Sequence, residues 1–102
     1  MTSEGHPYAI FRRAIRNGNL VRAEAAAREL GRLRIDDALE LLLLIGAKAP
    51  MRYDVAARRW LVLLASERGR TLPEVQLAAA ALSAGHEKAA PVLRSMVRPH
   101  SA

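Results

Sequence analysis

Between Tyr53 and Leu64 the apolar side chains Tyr53, Ala56, Ala57, Trp60, Leu63 and Leu64 fall at i, i+3, i+4, i+7, i+10 and i+11. That spacing lines one face only if the backbone turns every 3.6 residues, so the segment is a helix with a side that other helices must cover. Similar stripes recur along the chain between glycine and proline breaks. No segment alternates apolar and polar residues over a strand's length, and β-branched residues are few and scattered. The class this implies is all-α: about six short helices as three antiparallel hairpins, in a compact bundle or a short α-solenoid-like array. Residues 1–102 have the size of a single helical domain, with 1–6 and 99–102 expected as flexible ends.

Local signals place the helices. Pro7 opens the first, where its locked φ and missing N–H cost little, and Tyr8, Phe11, Ala14 and Ile15 share a face opposite Arg12, Arg13 and Arg16. Asn17-Gly18-Asn19 ends it, and Asn19 is placed to cap a second helix striped by Leu20, Ala23, Ala27 and Leu30, with Glu24 and Arg28 at pairing distance. A third, from about Ile35 to Ala47, is apolar nearly all round after Leu41, which on a short helix means a central position. The Tyr53–Leu64 helix carries Asp54 and Arg58 as an outer pair, and Thr71-Leu72-Pro73-Glu74 has the form of a capping box. A fifth helix to about Ala84 turns Leu72, Val75, Ala79 and Leu82 inward. A sixth carries Ala89, Leu93, Met96 and Val97; Pro91 within it sets the regular part to begin no earlier than about Glu87. Trp60, mid-stripe and the largest apolar side chain present, is the expected core anchor.

The stretch Gly18 to Ala27 resembles the inter-helix turn and second helix of a tetratricopeptide or related repeat, with Ala23 at the small packing position. It covers about a fifth of the chain, Phe11 stands where that family needs a glycine, and no second copy recurs at a fixed offset. The likeness is that of any helical hairpin.

Several chemistries find no support. Without cysteine there are no disulfides, thiolate ligands or thiol nucleophiles. His6, His86 and His100 have no partner at metal-ligand spacing, the serines lack a nucleophile elbow, and the glycines form no phosphate-cradling loop. Asp36, Asp37 and Glu40 are accounted for as acids at a helix N-terminus, favourable to its dipole. No metal, cofactor, small-molecule substrate or enzymatic activity is expected. A helix-turn-helix reading fails as well, because Gly18 would put Glu24, and Gly85 would put Pro91, at the apolar anchor of a recognition helix. The longest apolar run is far short of the roughly 20 residues that span a bilayer, and no secretory pattern opens the sequence. A cytoplasmic protein without membrane contact is expected.

The formal charge is +6, from 14 arginines and two lysines against ten acids, and residues 1–34 hold seven of the arginines. Arginine and alanine are also what a GC-rich genome writes, so basicity alone does not imply an anionic partner. The function expected is a non-enzymatic helical interaction module that binds another protein or itself. The alternative is a nucleic-acid-associated protein whose N-terminal arginines contact phosphates. The contact candidates are Arg12, Arg13 and Arg16, expected to be exposed so that reversing Arg12 and Arg16 spares the core, and Leu61 and Val62, which lie off the Trp60 stripe. With 51% apolar residues in so small a chain, self-association is expected too.

Overall fold

Capping chemistry decides where the helices stop and start. In a computed structural model describing residues 6–98, the helices are α1 (Pro7–Arg16), α2 (Leu20–Leu30), α3 (Ile35–Lys48), α4 (Tyr53–Ala65), α5 (Leu72–Ser83) and α6 (His86–Val97), with a 3₁₀ turn (Pro50–Arg52) before α4. Gly18, at φ +69°, makes the left-handed turn after α1 that other residues resist, and the Asn19 side chain accepts from the Arg22 N–H. Thr71 and Glu74 form both halves of the capping box at α5. The termini expected to be flexible fall almost wholly on residues 1–5 and 99–102, outside the described residues, as does His100.

The closest neighbours in sequence are the closest in space: α1 with α2, α3 with α4, α5 with α6. These are the three hairpins, but they are not equivalent. α3 also packs on α6, and α4 on α5, which closes α3 to α6 into a four-helix bundle. Its core holds Leu39, Leu42 and Leu43 from α3 with Ala57, Trp60 and Leu64, Ala78 and Leu82, and Ala89, Leu93 and Val97 from the other three helices. The α1–α2 hairpin lies outside this bundle. It buries Phe11, Ala14, Ala23 and Ala26 in a separate cluster against Leu41 and Leu44 of α3. α3 is therefore apolar all round because it serves two cores. The described residues span 45 × 36 × 20 Å, the thin dimension being about two helix diameters.

Trp60 is 2% exposed, and its indole N–H donates to the Ile35 carbonyl at 3.2 Å. Gly46 is buried where α3 meets α6: a Cβ there would lie 2.6 Å from the His86 Cβ, closer than carbon atoms pack.

Four local expectations need correction. Leu72 is 68% exposed, and Ala78, fully buried, takes the inward position on α5 with Leu82. α6 starts at His86, one residue before the expected limit, and holds Pro91 beyond its first turn. Pro91 and Glu87 are both exposed, so water can take the carbonyl that the proline leaves without a donor. Glu24 does not pair with Arg28; its two carboxylate oxygens take the Arg52 guanidinium from across the fold, a two-point contact that an i,i+4 pair seldom matches. Asp54 and Arg58 make no ion pair among the described residues.

Candidate functional site

α2 and α4 each pack on α3 but not against one another. Between them is a groove of about 480 Å³. Ala38, Leu41, Leu42 and Ile45 of α3 form its floor, and Val55, Ala56, Trp60 and Leu63 of α4 form one wall. The Glu24–Arg52 ion pair bridges α2 to the 3₁₀ turn at one end, beside Met51. Short loops make α3 antiparallel to both flanking helices, so α2 and α4 run in the same direction. The Leu63 end of the groove consequently meets the α2–α3 loop, where Leu63 shares a cleft with Arg32 and Leu33.

The apolar rim of this groove is uncovered. Met51 is 92% exposed and Val55 and Leu63 are each half exposed; Val62, outside the groove lining but seven residues from Val55 and so on the same side of α4, is 65% exposed. Sequence reasoning named Val62 and missed the others. Leu63 fits the Trp60 stripe, but it projects to the side where α4 would need α2 as a neighbour, and α2 stands clear. The signal that remained was a second stripe at Met51, Val55, Val62 and Leu63, running beside the core stripe. Leu61 is on the opposite side. It is half-buried against the bundle core, beside Tyr53 and Leu82 in a shallow cleft between α4 and α5, so the chain itself covers much of it.

The arginines separate in the same way. Arg12 is exposed, as expected, yet its guanidinium donates to Asp37 at 3.2 Å, so its reversal does not spare the packing of α1 on α3. The Asp37 side chain is 6% exposed and that of Arg12 45%. The Tyr8 hydroxyl reaches the same carboxylate oxygen at 3.5 Å. Burial, and after it the charge of Asp37, pushes the Tyr8 phenol above its ordinary value. Helix periodicity puts Arg12 opposite the α1–α2 contact, but α3 supplies a second neighbour that no reading of α1 alone foresees. Arg13 and Arg16 are exposed and form no ion pair among the described residues.

The acids of α3 serve three different tasks. Asp36 accepts from the Asp37 N–H at 2.9 Å, satisfying a donor of the first turn. Asp37 holds α1. Glu40 takes a two-point contact from Arg94 of α6, both distances 2.9 Å. Elsewhere Arg70 bridges Glu67 and the Met96 carbonyl, tying the α4–α5 loop to the end of α6. His86 meets Tyr53 edge-on at 6.2 Å, and the Tyr53 hydroxyl donates to the Leu82 carbonyl at 2.9 Å. No three His, Asp or Glu side chains gather to hold a metal among the described residues, and no helix there is long and apolar enough to cross a membrane. No family model, curated protein or solved structure matches the chain.

Proposed function

We propose that this chain is a non-enzymatic helical interaction module, docking another protein chain or a second copy of itself in the groove between α2 and α4. The observation that supports it is the uncovered rim: Met51, Val55, Val62 and Leu63 expose apolar surface side by side, whereas single exposed apolar residues are ordinary. A groove with an apolar floor, an apolar lip and charged edges suits an amphipathic helix. The cytoplasm, where no disulfide would be needed, is the proposed location.

Photo-crosslinking tests the reading. Met51 replaced by a diazirine analogue of methionine should crosslink to a protein partner in an extract of the native cells, insensitive to nuclease, and Leu63→Glu should abolish the product. Crosslinking unchanged by Leu63→Glu would refute it. A second reading, phosphate contact by nucleic-acid binding, is favoured by Arg13 and Arg16, which are exposed without acidic partners among the described residues. Its mark would be duplex or single-strand affinity that falls steeply with salt and loses about two contacts' worth of that slope in Arg13→Glu with Arg16→Glu.

A further inference from the structure

We infer that the occupant of the groove is an amphipathic helix with acidic flanks, carried by a different chain. The inference rests on the groove being a docking surface and adds what docks there. From Met51 of the 3₁₀ turn to Leu63 of α4 the wall is about 18 Å long, some three helical turns, so an occupant helix presents apolar residues at i, i+3 or i+4, and i+7 to the floor. Two helices that pack on a third and not on each other leave part of its surface uncovered, and here that surface is the apolar floor. The occupant therefore completes a layer that α2 and α4 leave open.

The charges on the walls choose its flanks. Arg59 lines the α4 wall, is exposed, and has no acidic partner among the described residues. Arg28 is one turn beyond Glu24 on the same side of α2, and Arg32 shares the cleft at the Leu63 end; both are exposed and likewise unpaired. Glu24 in the groove is already taken by Arg52, and Glu67, in the cleft with Arg32, by Arg70. An apolar trough with Arg59 on its wall, Arg32 at its end and Arg28 one turn from Glu24, its own carboxylate already paired, attracts glutamates and aspartates and repels lysines.

A second copy does not provide such a helix. Its α4 has the apolar strip, but Arg58 and Arg59 flank it and would face the arginines of the groove. α1 carries three arginines and no acid, and the single acid of α5, Glu74, is held in its capping box; the exposed acids in no ion pair among the described residues, Glu29 of α2, Asp54 of α4 and Glu87 of α6, each stand beside a cation of the same helix, Arg28, Arg58 and Lys88. The acids of α3 are already paired within the chain, with Arg34, Arg12 and Arg94.

The test is a titration of the full chain with two idealised 18-residue helical peptides. They have identical leucines at i, i+3, i+4 and i+7 repeats and differ only in having glutamate or lysine on the flanks. Affinity is read by anisotropy of labelled peptide, and location by the NMR signals of the Trp60 indole and the Val55 and Leu63 methyls. The glutamate peptide should bind about tenfold or more tighter at low salt and shift those three residues. Arg28→Glu with Arg59→Glu should invert the preference, while Leu63→Glu weakens both peptides. Because all three sites are exposed, circular dichroism should report an unchanged fold. Equal affinity for the two peptides would overturn the acidic partner and leave groove docking standing. If neither peptide shifts Trp60 but light scattering finds a dimer that Leu63→Glu dissolves, the occupant is a second copy and the inference is wrong. A monomer that binds neither peptide would overturn the inference and the docking reading together.

Discussion

Removing the Arg12 guanidinium leaves a carboxylate in a place built to exclude water. At 3.2 Å and an effective dielectric of about 20, the gross attraction between Arg12 and Asp37 is about 5 kcal/mol. Much of it offsets the cost of desolvating Asp37, which persists when Arg12 is gone. Water reaches the half-exposed guanidinium but scarcely reaches the carboxylate. The loss in Arg12→Ala therefore falls between the ~0.2–1 kcal/mol of an exposed pair and the ~3–5 kcal/mol of a broken buried one, at about 2 kcal/mol. For a chain of this size that lowers the melting temperature by on the order of 10 °C. Arg12→Glu should cost at least as much, whereas Arg16→Glu, with no partner to lose, should stay within about 0.5 kcal/mol of the parent. Asp37→Asn removes the charge that needed compensation, so the double variant should lose about 1–2 kcal/mol less than the sum of the singles. Urea unfolding of the parent and the five variants, read by the single tryptophan, measures these differences. An Arg12→Ala loss under 0.5 kcal/mol, or no coupling with Asp37→Asn, would refute the assignment of Arg12 as the partner of Asp37. A confirmed loss makes Arg12 unfit as a probe of phosphate binding, since its reversal perturbs the fold, and leaves Arg13 and Arg16 for that purpose.

Trp60→Ala should destabilise by about 3–5 kcal/mol, because it empties the bundle core and takes a donor away from the Ile35 carbonyl; parent fluorescence should be blue-shifted and resistant to acrylamide. Gly46→Ala gains about 1 kcal/mol of helix propensity but forces α3 and α6 apart at His86, so a net loss of about 1 kcal/mol is expected in chemical denaturation; a stabilised variant would show that the contact yields easily. Hydrogen bonding from the Thr71 backbone N–H holds the Glu74 carboxyl below its ordinary value of 4.5. A carboxyl depressed in the folded state stabilises above its unfolded pKa, and that contribution fades as pH falls through the folded one. Glu74→Gln should thus show a smaller drop in melting temperature than the parent on acidification below about 4.5; parallel curves would count against the capping box.

Much of the fold was legible because its determinants are local. The periods of the stripes, Pro7, the Asn17-Gly18-Asn19 turn and the Thr71–Glu74 box act within a few residues, and the helices lie close to where those signals put them. The uniform apolarity of Leu41 to Ile45 marked α3 as central for the same reason: a helix that has no polar side needs neighbours on more than one side. The candidate site was legible only in part. Val62 was visible as an apolar residue off the core stripe, while Leu63 was hidden within that stripe and Met51 and Val55 went unnamed.

What the sequence by itself determined, then, is the helical class, the hairpins and Trp60 as a core residue, since backbone propensity, capping and the burial of the largest apolar stripe need no knowledge of distant partners. Only the tertiary structure decided that α6 returns to α3 at Gly46 to close a bundle, that Arg12 belongs to Asp37 and Glu24 to Arg52, and that α2 and α4 stand apart over an apolar floor. The three contacts among these join residues that are 25 to 40 positions apart in sequence. Periodicity says which face of a helix seeks cover, but the identity of the cover, and whether any is left over for a partner, follows from how the helices pack.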